Sequence, residues 1–352
     1  MSALVLQGDA LAVLRTLPAE SVHCCITSPP YYQQRSYLPS NGHDKPLEIG
    51  LEESPEHYIA RLAEIFREVR RVLRRDGSLW LNIDDKRSAK REWLGIPHRL
   101  VHALQADGWR WEDEIIWEKP DGMPFSGLNR CTHNHEYLFL LNKSTSAYFD
   151  AVAIREPDKG TDHLRTKLEP PEPSGGLMPA HKGIRIPEGR NGRGRNKRSV
   201  WSVPTARYGG AHTAVFPPAL IEPCILSTTS DYGACPECGA PWRRIVEWEG
   251  GNWDERKAAG APPRYGQNNN KGKSRTHEYG GSYPRTIDWC PTCECCSEDS
   301  PVNCVVLDPF AGSGTVGEVA VRNGHDAILI ELNPEYCELI EERIHGLQVR
   351  LL

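Results

Sequence analysis

Long apolar runs are missing from this chain of 352 residues, and none approaches the about 20 residues that a membrane-spanning helix requires. Residues 1–14 lack the basic start and the small-residue cleavage site of a signal peptide. Both absences predict a cytosolic protein, in which the 12 cysteines are expected to bind metal rather than to form disulfides. A strong excess of charge is also missing, since 42 Lys and Arg face 47 Asp and Glu. This balance argues against a protein that is basic over its whole surface.

One basic segment departs from this balance. Residues 181–200 contain seven Lys or Arg and one Glu, which gives the segment a net charge of +6. Such a segment is either a solvated loop or a contact for the phosphates of a nucleic acid. Charge alone leaves both interpretations open.

Two parts of the chain alternate short apolar strands with amphipathic helices, which predicts an α/β fold with a parallel sheet. Within residues 1–150 the pattern predicts strands at 22–27, 78–83, 113–118 and 136–141 and helices at 55–73 and 96–106. The last 50 residues continue it with strands at 304–308 and 327–331 and a helix at 315–323. The length of the chain predicts roughly two domains.

A glycine-rich turn at 312–317, with the sequence GSGTVG, lies between a predicted strand and a predicted helix. Glycines at such a place let the backbone approach a ligand closely, and an acid at the end of the next strand, here Glu331, can bind two ribose hydroxyls. Only 21 residues follow Glu331, too few to complete a nucleotide-binding sheet. Residues 1–150 must supply the rest, which predicts a circularly permuted arrangement.

A second motif, Thr27-Ser28-Pro29-Pro30-Tyr31, follows the predicted strand at 22–27. Ligands of open α/β sheets bind at such carboxyl ends. The prolines fix the directions of the Ser28 hydroxyl and the Pro29 carbonyl, and Tyr31 offers a face for stacking. Two polar acceptors beside an aromatic ring suit the exocyclic amine of a planar base, although a purely structural turn would also explain the prolines.

The two motifs together, TSPPYY at 27–32 and DPFAGSGT at 308–315, resemble those of the S-adenosylmethionine-dependent DNA amino-methyltransferases, and their order resembles the β class. The resemblance implies a circularly permuted Rossmann-like methyltransferase fold, doubly wound around a mostly parallel sheet, with a loop-rich recognition insert and a small zinc-binding insert. The implied reaction transfers a methyl group from S-adenosylmethionine directly to the exocyclic amine of a base flipped out of duplex DNA, without a covalent intermediate.

The resemblance also implies which residues form the site. The catalytic residues would be Ser28, Pro29, Pro30 and Tyr31. The cofactor would be bound by Asp9, Thr27, Phe216, Pro217, Asp308, Phe310, Gly312, Gly314, Thr315 and Glu331. Two of them have a structural alternative, because Asp9 suits a helix cap and Phe216 suits the core.

The base to be methylated is predicted from the residue before the two prolines. Ser28 resembles the cytosine-N4 enzymes, whereas Asp or Asn at this place is more typical of the adenine-N6 enzymes, which are the alternative. A cytosine-C5 enzyme is disfavoured because Pro223-Cys224 lies far from the catalytic motif and Cys24 and Cys25 lie within a predicted strand. A non-catalytic, zinc-containing DNA-binding protein on a methyltransferase fold and an enzyme acting on RNA or protein are further alternatives.

Six clustered cysteines predict one structural zinc ion: Cys235, Cys238, Cys290, Cys293, Cys295 and Cys296. Cys235-Pro-Glu-Cys238-Gly has the form of a zinc knuckle, and four thiolates suit tetrahedral coordination. The second pair is either Cys290 with Cys293 or Cys293 with Cys295. A resemblance to related methyltransferases with a Pro-Thr-Cys-x-Cys tract favours the latter, with Cys290 as the substitute for Cys295.

Duplex DNA is the partner that the resemblance implies. The basic segment then falls in the target recognition region, and phosphate contacts are expected from Arg190, Arg193, Arg195, Lys197 and Arg198. A cognate restriction endonuclease and a second copy of the chain are further candidate partners, in the cytoplasm of a bacterial or phage-infected cell. The predicted division is a catalytic half at 1–154, a recognition region at 155–207, a cofactor-side segment at 208–232, a zinc-ribbon-like insert at 233–300 and a cofactor-binding half at 301–352.

Overall fold

A sheet of eight strands organises much of the chain in this computed structural model, which describes residues 1–38, 44–157, 194–206, 216–249, 283–295 and 299–351. Two further sheets of two strands each pair β6 with β7 and β9 with β10. The strands of the three sheets are β1 (Ala3–Gln7), β2 (Val22–Thr27), β3 (Leu73–Ile83), β4 (Arg110–Glu118), β5 (His135–Asn142), β6 (Glu156–Pro157), β7 (Gly194–Arg195), β8 (Val200–Ser202), β9 (Arg243–Glu249), β10 (Tyr283–Cys290), β11 (Val305–Asp308) and β12 (Asp326–Glu331). The helices are α1 (Ala10–Thr16), α2 (Pro55–Val72), α3 (Ile96–Ala106), α4 (Pro218–Thr228), α5 (Thr315–Arg322) and α6 (Pro334–Leu351).

The strand order of this sheet is β1, β12, β11, β2, β3, β5, β4, β8. Its pairings are parallel except for the two that β5 makes with β3 and β4. The chain passes from β2 toward β3 but from β11 toward β12, so the strand order reverses between β2 and β11. Open α/β sheets bind their ligands at such a reversal. The predicted α/β class with a mostly parallel sheet is confirmed.

Helix α2 shows how the sequence specifies these elements. The Ser54 hydroxyl accepts the backbone N–H of His57 at 3.2 Å, and Pro55 occupies the first helical position, where its missing N–H costs nothing. Tyr58, Leu62 and Phe66 follow at intervals of four residues and are fully buried. Each such burial contributes about 1.5–3 kcal/mol, so the apolar face holds this helix on the sheet.

Two apolar layers cover the two faces of the sheet. The first includes buried residues of α1, α2 and α3, and the second includes buried residues of α4, α5 and α6. Side chains along β2 alternate between the layers, so that Cys25 lies in the first and Cys24 in the second. Cys224 of α4 is also fully buried in the second layer. All three cysteines therefore occupy core positions.

Strand β3 begins earlier than the sequence predicts. The apolar pattern predicts a helix at 55–73, a stop at Asp76-Gly77 and a strand only from residue 78. In the structure α2 ends at Val72 and the strand begins directly at Leu73. A bulge in the pairing with β2 accommodates the added residues. A Cβ atom at Gly77 would lie 2.9 Å from the carbonyl oxygen of His23, so this glycine permits close approach of two strands rather than a turn.

By internal packing the chain divides into two units. The first contains Met1–Ile154, Arg198–Arg243 and Pro291–Leu352, and the second contains Arg155–Lys197 and Arg244–Cys290. The second unit thus draws on both the predicted recognition region and the predicted zinc insert, and the boundaries of those five segments stay predictions. Among the helices of the described ranges, none is long and apolar enough to cross a membrane.

Candidate active site

A cavity of about 460 Å³ opens in the first unit at the carboxyl ends of β2 and β11. Its wall contains Ser28 and Tyr31, which follow β2, and Phe310 and Gly312, which follow β11. Glu331, the last residue of β12, lines it as well. The cavity therefore lies where the strand order reverses, and both sequence motifs contribute to one site.

A buried hydrogen bond connects the two motifs. The Thr27 hydroxyl donates to Oδ1 of Asp308 at 2.7 Å, and the same oxygen accepts the backbone N–H of Phe310 at 3.0 Å. Both side chains are almost completely buried. Burial raises the pKa of Asp308 to about 7. This carboxyl group thus fixes the turn after β11 and ties it to the turn after β2.

The glycine-rich turn is shaped by backbone conformation. Gly312 and Gly314 have φ angles of 53° and 78°, in the left-handed region that favours glycine. A Cβ atom at Gly314 would lie 3.0 Å from the side chain of Ile340, so α6 packs directly on the turn. Arg343 of α6 donates to the carbonyl oxygen of Ser313 at 2.9 Å and fixes the turn from behind.

Glu331 lines the cavity next to the glycine-rich turn. Its Oε2 accepts the N–H of Gly312 at 2.8 Å, and its Oε1 accepts the N–H of Asn333 at 2.9 Å. Burial raises the pKa of this carboxyl group. Each oxygen keeps further acceptor capacity, so the carboxylate can bind hydroxyl donors while it orders the loop.

The catalytic motif is fixed by a network of buried polar groups. The Tyr31 hydroxyl donates to Oε2 of Glu136 at 2.6 Å, and it lies 3.1 Å from Oδ1 of Asn82. Burial, followed by the charge of Glu136, raises the pKa of Tyr31 well above its usual range, so the proton stays on the phenol. The Ser28 hydroxyl donates to the Tyr31 oxygen at 3.3 Å.

Lys119 and Trp117 complete this end of the cavity. The Lys119 ammonium forms an ion pair with Oε1 of Glu136 and lies 4.6 Å from the centre of the Trp117 ring. The Trp117 indole N–H donates to the carbonyl oxygen of Val203 at 2.8 Å, which anchors the ring. These contacts compensate the burial of the Glu136 carboxylate.

Among the lining residues that were not predicted as site residues, four lie beside the catalytic motif: Asn82, Trp117, Lys119 and Glu136. Two of them carry a readable signal. Asn82 interrupts the apolar run of β3, and Glu136 lies near the start of the apolar β5. A polar side chain within a buried strand needs a hydrogen-bond partner. Here the two side chains are partners across the β3–β5 pairing, because the Asn82 amide donates to Glu136 at 3.1 Å.

The structure brings most of the predicted site residues together. The cavity is lined by Asp9, Ser28, Pro29, Pro30, Tyr31, Phe216, Phe310, Gly312, Thr315 and Glu331. The others lie behind it: Thr27 and Asp308 are buried beneath the wall, and Pro217 and Gly314 cap α4 and α5. Asp9 also caps α1, since its carboxylate accepts the N–H of Ala12 at 2.9 Å.

Comparison with known proteins assigns the chain to a family. The family model of the N6/N4 DNA methylases matches residues 22–235 and 294–342, more than half of the chain. The chain belongs to the N6/N4 DNA methylase family. The predicted relation to the DNA amino-methyltransferases is thereby confirmed.

Individual relatives match this DNA methylase over most of its length. The Type II methyltransferase M.Cfr9I of Citrobacter freundii is 33% identical over 98% of this chain and 88% of its own. The cytosine-N4-specific PvuII DNA methyltransferase has a TM-score of 0.57 at 15% identity, over 97% of this chain and 86% of its own. A DNA modification methylase of Thermus thermophilus, solved with S-adenosyl-L-methionine, has a TM-score of 0.50 at 21% identity, over 98% and 95%. The two structures show a shared methyltransferase fold.

Away from the cavity, the methylase places four cysteine sulfurs within 4.8 Å of one another: those of Cys235, Cys238, Cys293 and Cys295. A tetrahedral zinc site with Zn–S bonds of about 2.3 Å separates its sulfurs by about 3.8 Å, so the set suits that geometry. Cys290 is not part of the set, and Cys296 lies outside the described residues.

The cysteine loop is attached to the amino-terminal ends of β2 and β3. The Val305 N–H donates to Nδ1 of His23, so Nε2 carries the proton and donates to the carbonyl oxygen of Gly239 at 2.9 Å. Arg74 donates to the carbonyl oxygen of Cys238. The cysteine cluster thus lies at the amino-terminal ends of the strands, whereas the cavity lies at their carboxyl ends.

The basic segment is described only in part. Arg190 and Arg193 lie outside the described residues. Arg195 forms an ion pair with Glu156 at 3.3 Å across the short β6–β7 pairing of the second unit. Lys197 is the last residue of this part of the second unit, and Arg198, which belongs to the first unit, does not line the cavity.

The raised pKa of Asp308 predicts how the stability of the methylase depends on pH. The folded protein binds this proton with a pKa of about 7, against 3.8 for the ordinary group, so the free energy of unfolding falls as the pH rises between these values. Asp308→Asn keeps both hydrogen bonds and removes the titration. We expect urea unfolding to show a weaker decline in the variant, by at most about 1.4 kcal/mol per pH unit. Asp113→Asn, on the exposed part of β4, is the matched control, and equal pH dependence in all three proteins would contradict the assignment.

Proposed function

We propose that this methylase transfers a methyl group from S-adenosylmethionine to the N4 amine of a cytosine flipped out of duplex DNA. The observation that carries the proposal is the shared cavity, in which Ser28 with its hydrogen-bond network and Glu331 with the glycine-rich turn line the same wall. The cytosine-N4 specificity of the PvuII enzyme supports this choice of base, and adenine N6 is the alternative. The interleaving of β11 and β12 between β1 and β2 supports the circularly permuted form of the fold.

The cofactor end of the cavity fits S-adenosylmethionine. The whole cavity, at about 460 Å³, lies within the range of small-molecule sites. The Glu331 carboxylate suits the two ribose hydroxyls, and the backbone at Gly312 is free of a Cβ atom where the ligand must approach. When bound, the cofactor supplies a methyl group already activated by its sulfonium, so the protein contributes mainly position.

The substrate end is organised to accept hydrogen bonds from an amine. Glu136 accepts the Tyr31 proton, the Tyr31 oxygen accepts the Ser28 proton, and the Ser28 oxygen therefore presents its lone pairs to the cavity. An amine that donates to Ser28 and to the Pro29 carbonyl becomes pyramidal, and its own lone pair leaves conjugation with the ring. As the C–N bond forms, the bond between the methyl carbon and the sulfonium sulfur breaks. The proton that the amine loses passes to the Ser28 oxygen, while the Ser28 proton moves to the Tyr31 oxygen and the Tyr31 proton to the Glu136 carboxylate.

Base flipping, the DNA contacts and the metal belong to this proposal as well. A target amine inside a duplex is reached by flipping the base, and the Tyr31 ring in the cavity wall offers a stacking face. Arg190, Arg193, Arg195, Lys197 and Arg198 are proposed to contact DNA phosphates. The four clustered cysteines are proposed to bind one structural zinc ion. A cognate endonuclease and a homodimer stay predictions.

The reaction is tested by transfer of a tritiated methyl group from S-adenosylmethionine to unmethylated duplex DNA, followed by chromatography of the nucleosides. We expect label in N4-methylcytosine. Ser28→Ala should lower turnover by about 10²-fold, because the lost acceptor acts on the reacting amine. Tyr31→Phe should lower it by about tenfold, because Tyr31 acts on the amine only through Ser28. Label in N6-methyladenine would favour the alternative base. No label in DNA would favour an RNA or protein substrate if label appears there, and a non-catalytic role if it does not.

The cofactor contact is tested with Glu331→Ala. Loss of a charge-assisted hydrogen bond costs about 1.5–3 kcal/mol, so the dissociation constant of S-adenosylmethionine should rise about ten- to 150-fold in calorimetry. Glu331→Gln, which keeps one carbonyl acceptor for the loop, separates this effect from loss of loop order. Glu338→Ala, in the exposed face of α6, is the control, and wild-type affinity in Glu331→Ala would remove Glu331 from the cofactor site.

Metal analysis should find about one zinc ion per chain. We expect Cys295→Ser to lose the metal and to lower the melting temperature, because the loop that holds the first cysteine pair is attached to β2 and β3. Cys290→Ser and the exposed Cys131→Ser should both keep the metal. Zinc loss in Cys290→Ser with retention in Cys295→Ser would instead assign Cys290 as the fourth ligand.

A further inference from the structure

A small basic hairpin, residues 86–93, lies at the carboxyl end of β3 and has no role in the reaction described above. The N–H of Ser88 donates to the carbonyl oxygen of Glu92 at 2.8 Å, and Arg91 adopts a φ angle of 66° at the tip. The hairpin contains Lys86, Arg87, Lys90 and Arg91 against one acid, in a chain whose net charge is −5. It begins four residues after Asn82, which lines the cavity.

A loop beside it, residues 121–133 and here called the rim loop, exposes large apolar side chains. It is closed at its base by a hydrogen bond of 2.7 Å from the N–H of Lys119 to the carbonyl oxygen of Asn134. Met123 is 89% exposed and Leu128 is fully exposed. The loop is nevertheless ordered by its own contacts, since Arg130 stacks on Phe125 with its guanidinium carbon 4.0 Å from the ring centre.

Direct contacts join the basic hairpin and the rim loop into one surface. The Arg87 guanidinium stacks on Trp93 at 3.8 Å, and Trp93 lies 4.8 Å from the His133 ring. His133 in turn pairs with Asp84 at 3.0 Å, just after β3. Lys119 at the base of the rim loop lines the cavity. The surface is therefore continuous with the site at which the target base must arrive.

We propose that this surface contacts duplex DNA, with the basic hairpin on the phosphates and with Met123 and Leu128 inserted into the base stack at the target. The inference rests on the proposed function and adds the means by which the duplex is held open. Proteins that open base steps combine basic side chains, which bind the DNA phosphates, with exposed apolar side chains, which insert between neighbouring bases. Exposed methionine and leucine side chains gain little in water, whereas they would fill the gap that a flipped base leaves behind.

The insertion of Met123 and Leu128, here called the wedge, is tested with the double variant Met123→Ala/Leu128→Ala. The matched control is Leu4→Ala, which shortens an exposed leucine on β1. The substrates are a duplex with the site that sequencing of modified DNA identifies and the same duplex with the target base mispaired. We expect the double variant to lose at least about tenfold in kcat/KM on the paired duplex and to lie within about threefold of wild type on the mispaired one, because a mispaired base is cheaper to unstack. Equal losses on both duplexes, or no loss on either, would overturn the wedge.

The basic hairpin is tested with the double variant Lys90→Ala/Arg91→Ala. The control is Arg75→Ala/Arg110→Ala, which removes two exposed arginines near the amino-terminal ends of β3 and β4. The slope of log affinity for DNA against log salt should become shallower by roughly 0.9 for each lost phosphate contact, while the affinity for S-adenosylmethionine stays unchanged. A wild-type slope in the hairpin variant would overturn the phosphate contact. Wild-type protein that methylates neither duplex would overturn the proposed function itself, whereas an active wild type with unaffected variants overturns only this inference.

Discussion

The hydrogen bond between Thr27 and Asp308 is the constraint on which the geometry of the cavity depends. It joins the carboxyl ends of two neighbouring parallel strands, β2 and β11, whose residues are 281 positions apart in the chain. Each strand continues directly into one of the two motifs. Because Asp308 also accepts the N–H of Phe310, a single buried carboxyl group sets both the distance between the motifs and the direction in which the second one leaves the sheet.

Three buried carboxyl groups lie around this cavity, and the cost of removing each from water is offset by different partners. Asp308 is supported by two neutral donors, and its raised pKa shows that these only partly offset the loss of water. Glu331 accepts two backbone N–H groups from the loops that it orders. Glu136 is paired with the Lys119 ammonium and accepts from Tyr31 and Asn82. Buried carboxyl groups therefore lie at both ends of the cavity, where the proposed reaction needs acceptors for hydroxyl and amine donors.

Local patterns were sufficient to predict six of the eight strands of the large sheet, the helices α2, α3 and α5, and the two motifs, but not β1 or β8. The helix at 96–106 and the strand at 22–27 have the predicted bounds, because capping residues and apolar periodicity lie within the elements themselves. The early start of β3 escaped prediction because it depends on a bulge against β2. Lys119 and Glu136 escaped as site residues because their roles come from the pairing of β4, β5 and β3, which brings distant positions to one wall. The polar character of Glu136 within the apolar β5 was visible, but the identity of its partners is a property of the fold.

The interleaving of β1, β12, β11 and β2 has a consequence for the synthesis of the protein. Residues 3–27 leave the ribosome long before residues 305–331 are made, and until then β1 and one edge of β2 lack their neighbours in the sheet. Unpaired strand edges of this kind are prone to aggregation, and pairing across such sequence separations is slow. The cavity is complete only when translation has passed Glu331, so unfinished chains contain the catalytic motif without the turn that faces it.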